Sequence, residues 1–229
     1  MKERLLPRKP AVLSETTQRQ LGMYALAATA AGVGALATPQ AAEARIIYTP
    51  AHVRLPSNGK YFLEFNHDGS EFFFYSHTYC SAGSCLARLE AAGTFFSYNR
   101  VELNAQNYGA ALRQGAKIGS QAKFGTSAAM LGIFTSVSGR YSVRGPWNNV
   151  RNRYLGLEFR FEGGSKTHFG WARLNVHYKR HYITAILTGY AYETIPNKPI
   201  VAGKTEGQDV ITVRPDSGGT LGGLALGRK

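Results

Sequence analysis

The chain is most legible between Tyr154 and Glu193. It reads Tyr154-Leu155-Gly156-Leu157-Glu158-Phe159-Arg160-Phe161-Glu162, then Thr167-His168-Phe169-Gly170-Trp171-Ala172-Arg173-Leu174-Asn175-Val176-His177-Tyr178, then Tyr182-Ile183-Thr184-Ala185-Ile186-Leu187-Thr188-Gly189-Tyr190-Ala191-Tyr192-Glu193. In the first run Leu155, Leu157, Phe159 and Phe161 share one side and Glu158, Arg160 and Glu162 the other, the period-two alternation of a half-buried strand. Gly163-Gly164-Ser165-Lys166 is a turn. The second run puts Gly170, Ala172, Leu174 and Val176 opposite Trp171, Arg173, Asn175 and His177. The third is rich in Ile, Thr, Leu and Tyr on both sides, as a central strand covered on both faces is. Three such runs predict an antiparallel meander.

Upstream, strands are expected over 44–48, 60–66, 71–78, 94–98 and 130–138 continuing to 141–143. The stretch 106–120, with Gly109, Gly115 and Gly119, reads as loop with one helical turn. Pro196 and Pro199 end the sheet. Of 229 residues, 18% are charged, Gly numbers 26, and Tyr plus Phe number 25. Charged residues fall below the ~25% of ordinary soluble domains, which excludes coiled coils, and the aromatics exclude disorder over most of the chain. The expected fold class is all-β: one antiparallel β-sandwich or jelly-roll domain over 45–203. A Gly-rich tail over 204–229 is expected to be poorly ordered.

The N-terminus predicts export. Lys2, Arg4, Arg8, Lys9 and Arg19 precede an uncharged, Ala-rich run from Leu21 to Ala42, which closes on Ala42-Glu43-Ala44. A basic segment, an apolar segment and small residues spaced A-x-A make a secretory signal peptide over 1–44, cleaved after Ala44. An uncleaved anchor is the alternative, because the run approaches the ~20 residues a bilayer needs; only then is the membrane a partner. Gly32-Val33-Gly34-Ala35-Leu36-Ala37 mimics a dinucleotide fingerprint, but no strand precedes it. Residues 45–229 carry 22 Lys and Arg against 11 Asp and Glu, a net charge of +11. Outside the cytoplasm such a charge points to anionic envelope components or acidic polysaccharide, not nucleic acid. The densest basic stretch holds Arg140, Arg144, Arg151, Arg153 and Arg160. Cys80 and Cys85, in Cys-Ser-Ala-Gly-Ser-Cys, are expected to form a disulfide pinning a hairpin tip; the spacing fits neither redox nor zinc motifs.

The same meander, with Tyr48-Thr49-Pro50 and Asn66-His67-Asp68-Gly69, resembles a group of uncharacterised exported bacterial β-proteins, some of which carry C-terminal sorting tags. The likeness spans about two thirds of the chain after Ala44, and most closely Tyr154–Gly203. It implies an exported single-domain β-protein with no established activity and no established catalytic residues. Thr220-Leu221-Gly222-Gly223-Leu224-Ala225-Leu226 is similar to the start of such a tag, yet lacks its apolar helix and Pro-Glu-Pro signal.

Four chemistries can be read from the polar residues. Glu64, Asn66 and Asp68, with Gly69 next and Glu71 to close the shell, alternate as the ligands of a calcium loop do. The simpler reading is an Asp-Gly turn between two strands, with no cofactor. Glu158 and Glu162 lie roughly 13 Å apart along one strand, too far for the paired carboxyls of a glycosidase, although Glu193 from another strand offers a partner. His168, His177 and His181 invite zinc, but their spacing makes separate surface histidines the expectation. Gly125-Thr126-Ser127-Ala128-Ala129 lacks the second Gly of a nucleophile elbow. No catalytic residue is therefore assigned. The abundant aromatics either fill a sheet covered on both sides or stand exposed to stack on sugars. Trp147, Trp171, Tyr190 and Tyr192 are the candidate ligand-binding rings. The expected function is that of a non-enzymatic envelope or extracellular protein binding polysaccharide; the alternative is an extracellular carbohydrate-active hydrolase.

Overall fold

The computed structural model describes residues 45–65, 71–94, 98–161, 164–179 and 182–213. The expected signal segment lies outside them, as do Asn66, Asp68, His181 and the end of the tail. Among the described residues there is no helix. Fourteen strands run in chain order among the described residues: β1 Ile46–Arg54, β2 Gly59–Glu64, β3 Glu71–Ser81, β4 Ser84–Gly93, β5 Arg100–Glu102, β6 Lys117–Ile118, β7 Phe124–Gly125, β8 Ser127–Thr135, β9 Tyr141–Arg144, β10 Val150–Phe159, β11 His168–Lys179, β12 Tyr182–Glu193, β13 Ile200–Val201 and β14 Val210–Thr212.

They form a seven-stranded sheet, β14-β1-β12-β11-β10-β5-β7, and a five-stranded sheet, β2-β3-β4-β8-β9, with β13 and β6 as a separate pair. The expected meander is β10-β11-β12, antiparallel throughout. The two larger sheets pack as a β-sandwich. Leu155, Leu157, Phe159, Ala172, Leu174, Val176, Ile183, Ala185 and Leu187 meet Leu63, Phe72, Phe74, Ala87, Leu89, Ala91 and Ile133 in one buried cluster. Each set alternates along its strand, as burial on one face requires.

The seven-stranded sheet is covered on its other face too. Trp171, Phe169, Tyr154, Ala191 and Ile46 form a second cluster with Ile118, Ile200 and Ala202 from the β6/β13 pair and its flanking loop. This double cover explains why Tyr182–Glu193 is apolar on both sides. The ladder also shifts between Arg173 and Leu174, opposite Gly189 at φ +156°. That bulge keeps Tyr190 and Tyr192 on the inter-sheet side with Leu187 while Ala191 joins the second cluster.

Four sequence-based expectations differ from the fold. Ser84–Gly93 is a full strand between β3 and β8, although Ala and Glu are depleted in strands; its small Ala87 and Ala91 lie buried in the cluster that holds Phe72 and Phe74, and packing overrides propensity. The stretch 106–120 contains no helical turn. Residues 204–213 belong to the domain, because β14 pairs in parallel with β1 and Lys204 is ion-paired with Asp209. The domain therefore extends past residue 203. Thr94 and Tyr98 lie outside any strand, with residues 95–97 outside the described set.

Cys80 and Cys85 are disulfide-bonded and directly opposite in register, so the bridge does close a hairpin tip. The two turn residues, Ala82 at φ +48° and Gly83 at φ +78°, have the left-handed backbone of a type I′ turn. Alanine resists that conformation by ~1 kcal/mol. Ala82→Asn should therefore raise stability by about 0.5–1 kcal/mol, read as a higher thermal midpoint with the disulfide intact. An unchanged or lowered midpoint would show that the turn is not strained.

Candidate ligand-binding face

The five-stranded sheet buries one face in the sandwich and turns the other to solvent. Its registers lay the outward side chains on a grid. Phe62 stands beside Phe73; Lys60 beside Tyr75 and Glu90; His77 beside Arg88, Gly132 and Arg144; Tyr79 beside Leu86, Phe134 and Ser142. From Phe73 to Tyr79 the grid spans about 20 Å at ~3.3 Å per residue, the length of several sugar units. The run Phe72-Phe73-Phe74-Tyr75 thus divides as its alternation predicts: Phe72 and Phe74 are buried, Phe73 and Tyr75 face out.

Three rings on this face are well exposed: Phe62 at 51%, Tyr79 at 67% and Phe134 at 47%. Lys60 Nζ lies 5.1 Å from the Phe73 ring and 5.9 Å from that of Tyr75, and Tyr75 stacks on His77 at 4.9 Å. These cation–π and stacking contacts order the middle of the face, and Phe62 meets the Phe73 ring at 6.2 Å. Arg88 meets Glu90 at 3.5 Å. Arg144 has no ion-pair partner among the described residues. A groove of about 410 Å³ follows the Arg88–Gly132–Arg144 row, walled by Leu86 and Phe134 and by Tyr108. The loop carrying Tyr108 is tied by Asn104, whose Oδ1 accepts from the backbone N–H groups of Gln106 and Tyr108 at 3.0 Å each.

The sequence-derived candidate rings lie elsewhere. Trp147 and Trp171 are 0% exposed. Trp147 sits in the inter-sheet core and donates from Nε1 to the Gly109 carbonyl at 2.8 Å; Trp171 packs between Tyr48 and Tyr154 in the second cluster. Neither offers a face to a ligand. Tyr190 and Tyr192 are half-buried around Phe65. Burial raises the Tyr190 phenol above its ordinary range, partly offset by a hydrogen bond with Thr49.

Of the calcium candidates, Glu64 and Glu71 close the β2–β3 ladder as direct partners, which fits the expected hairpin; Asn66 and Asp68 are outside the described residues. No three His, Cys, Asp or Glu residues gather as metal ligands among the described ones. His168 is buried, with Nδ1 3.0 Å from the Glu193 carbonyl, so it is a core residue rather than the surface histidine expected. His177 lines a polar recess with Asn149, Asn152, Asn175 and Thr184. Glu193 is buried and neutralised by Lys198 at 3.0 Å. Burial raises Glu158 above the carboxylate range, opposed by Arg100 and Arg160.

Sequence reasoning missed Phe62, Lys60, Phe134 and the Arg88–Gly132 pair. Their signal was present as period-two alternation on the polar side of each strand, Lys60/Phe62 and Arg88/Glu90 among them. It becomes legible only once the registers place those strands side by side. Of the dense basic stretch, Arg144 lines the groove. Comparison with protein-family models, curated proteins and solved structures returns no match.

Proposed function

We propose that this chain is an exported, non-enzymatic protein of the cell envelope or extracellular space that binds polysaccharide on the outer face of its five-stranded sheet. The observation that carries the reading is the exposure of Phe62, Tyr79 and Phe134 on one sheet face interleaved with Lys60, Arg88 and Arg144. Large exposed rings on a sheet mark an interaction surface, and the apolar C–H faces of pyranose rings stack on such planes. The charged groups on the grid position hydroxyls and acidic substituents. Glu90, which is paired with Arg88, is held as an ion-pair partner, so the grid is furnished for holding a ligand rather than cleaving it. The disulfide supports an oxidising destination, as does the N-terminal sequence.

The test is affinity electrophoresis through gels containing soluble polysaccharides. The wild type should be retarded by at least one polymer and release no reducing ends from it. The Tyr79→Ala/Phe134→Ala double variant should keep its melting temperature within the small range of surface substitutions and lose about tenfold in affinity, equivalent to ~1.4 kcal/mol. Unchanged retardation of the double variant would overturn the reading. So would binding to anionic phospholipid vesicles without binding to any polysaccharide.

A further inference from the structure

We infer that the groove at Arg88, Gly132 and Arg144 is a subsite for the carboxylate of a uronic acid, so that the face selects acidic over neutral polysaccharide. The inference rests on the proposed polysaccharide-binding function and adds its ligand class.

Three observations carry it. First, register puts Arg88, Gly132 and Arg144 in one row across β4, β8 and β9, so the two arginines stand about 10 Å apart at twice the strand spacing. A single pyranose fits between them. Second, the middle position of that row is a glycine, and a Cβ there would meet nothing within 4 Å. The missing side chain opens the groove; no turn or left-handed backbone requires glycine at this place. The resulting volume of about 410 Å³ falls within the range of small-ligand sites, about 300–1,000 Å³. Third, the charges differ in a useful way. Arg88 is steadied by Glu90 and keeps its remaining donors, since a guanidinium carries five N–H groups. Arg144 has no acidic partner among the described residues. A planar guanidinium pairs with a carboxylate in bidentate fashion, while Phe134, Leu86 and Tyr108 supply apolar walls for the sugar ring.

Polygalacturonate and its fully methyl-esterified form share a backbone and differ in charge, so they separate carboxylate recognition from stacking. Titration calorimetry at about 0.15 M salt, where long-range attraction is screened beyond ~8 Å, should show the acid form bound about tenfold more tightly than the ester, as loss of a charged hydrogen bond predicts. Arg144→Gln should remove that preference and leave ester binding unchanged. Gly132→Leu should fill the groove and weaken both forms without lowering the melting temperature, because its side chain projects into open space. Lys117→Gln, the same charge change at an exposed site on another element, should preserve the preference. Equal affinity for acid and ester would overturn the inference, as would equal losses in Arg144→Gln and Lys117→Gln, which would assign the preference to net charge. Binding a neutral polysaccharide but neither of these polymers overturns the acid subsite and leaves the broader function standing. Binding no polysaccharide overturns both.

Discussion

Replacing Trp147 by Ala is expected to cost about 3–5 kcal/mol, the range for emptying a fully buried aromatic site. In a domain of this size that lowers the melting temperature by on the order of 10 °C. The side chain has no solvent exposure, lies in the cluster that joins the two sheets, and anchors the loop at Gly109 through Nε1. Two separate losses are involved. Trp147→Phe retains most of the packing but leaves the Gly109 carbonyl without its donor, which should cost about 1–3 kcal/mol. The ordering wild type, Phe, Ala in thermal melts would thus divide the indole's contribution between hydrogen bond and volume. On the proposed function, polysaccharide affinity of the folded Phe variant should equal that of the wild type, because the ring does not reach the proposed binding face. A Phe variant as stable as wild type but deficient in binding would reverse this assignment and return Trp147 to the ligand site.

That reversal matters because Trp147 and Trp171 were the obvious candidates in the sequence. Tryptophan suggests sugar stacking, but a one-dimensional pattern does not say how many layers lie over a strand. Trp171 alternates opposite Ala172 and Leu174, which in a two-layer sandwich would place it in solvent. Instead the β6/β13 pair and the loops around it form a third layer, assembled from residues distant in sequence. The meander itself was legible because its periodicity is local and long. β4 was not, because Ala87, Leu89 and Ala91 are strand-like only in the company of Phe72 and Phe74. The proposed binding face was invisible for a related reason. Arg88, Gly132 and Arg144 are ordinary residues individually, and line one groove only when two antiparallel registers set them in a row. The disulfide needed no such information: two cysteines flanking a four-residue segment left one pairing, and the hairpin accommodates it.

The second large effect concerns Glu102. Its side chain is 8% exposed and lies over Gly156, where an added Cβ would come within 2.1 Å of its Oε2. That oxygen has no hydrogen-bond partner among the described residues. The nearest cation along the strand, Arg100, is engaged by Glu158. Burial without compensation pushes the carboxyl up from 4.5 to about 7. Folding therefore holds a proton that the unfolded chain has released between those two values. Stability should fall as pH rises through this window, be free of the penalty below about 4.5, and carry all of it above about 7. The gap corresponds to on the order of 3 kcal/mol. Glu102→Gln keeps the shape and removes the charge. Between pH 5 and pH 8 the wild type should lose on the order of 5–10 °C of melting temperature relative to the variant, and the variant should be the more stable protein at pH 8. Glu158, also raised by burial, titrates in the same sense in both proteins and cancels in the comparison. Parallel pH profiles for wild type and Glu102→Gln would mean that Glu102 is ionised in the fold at low cost, with a partner or water reaching its Oε2.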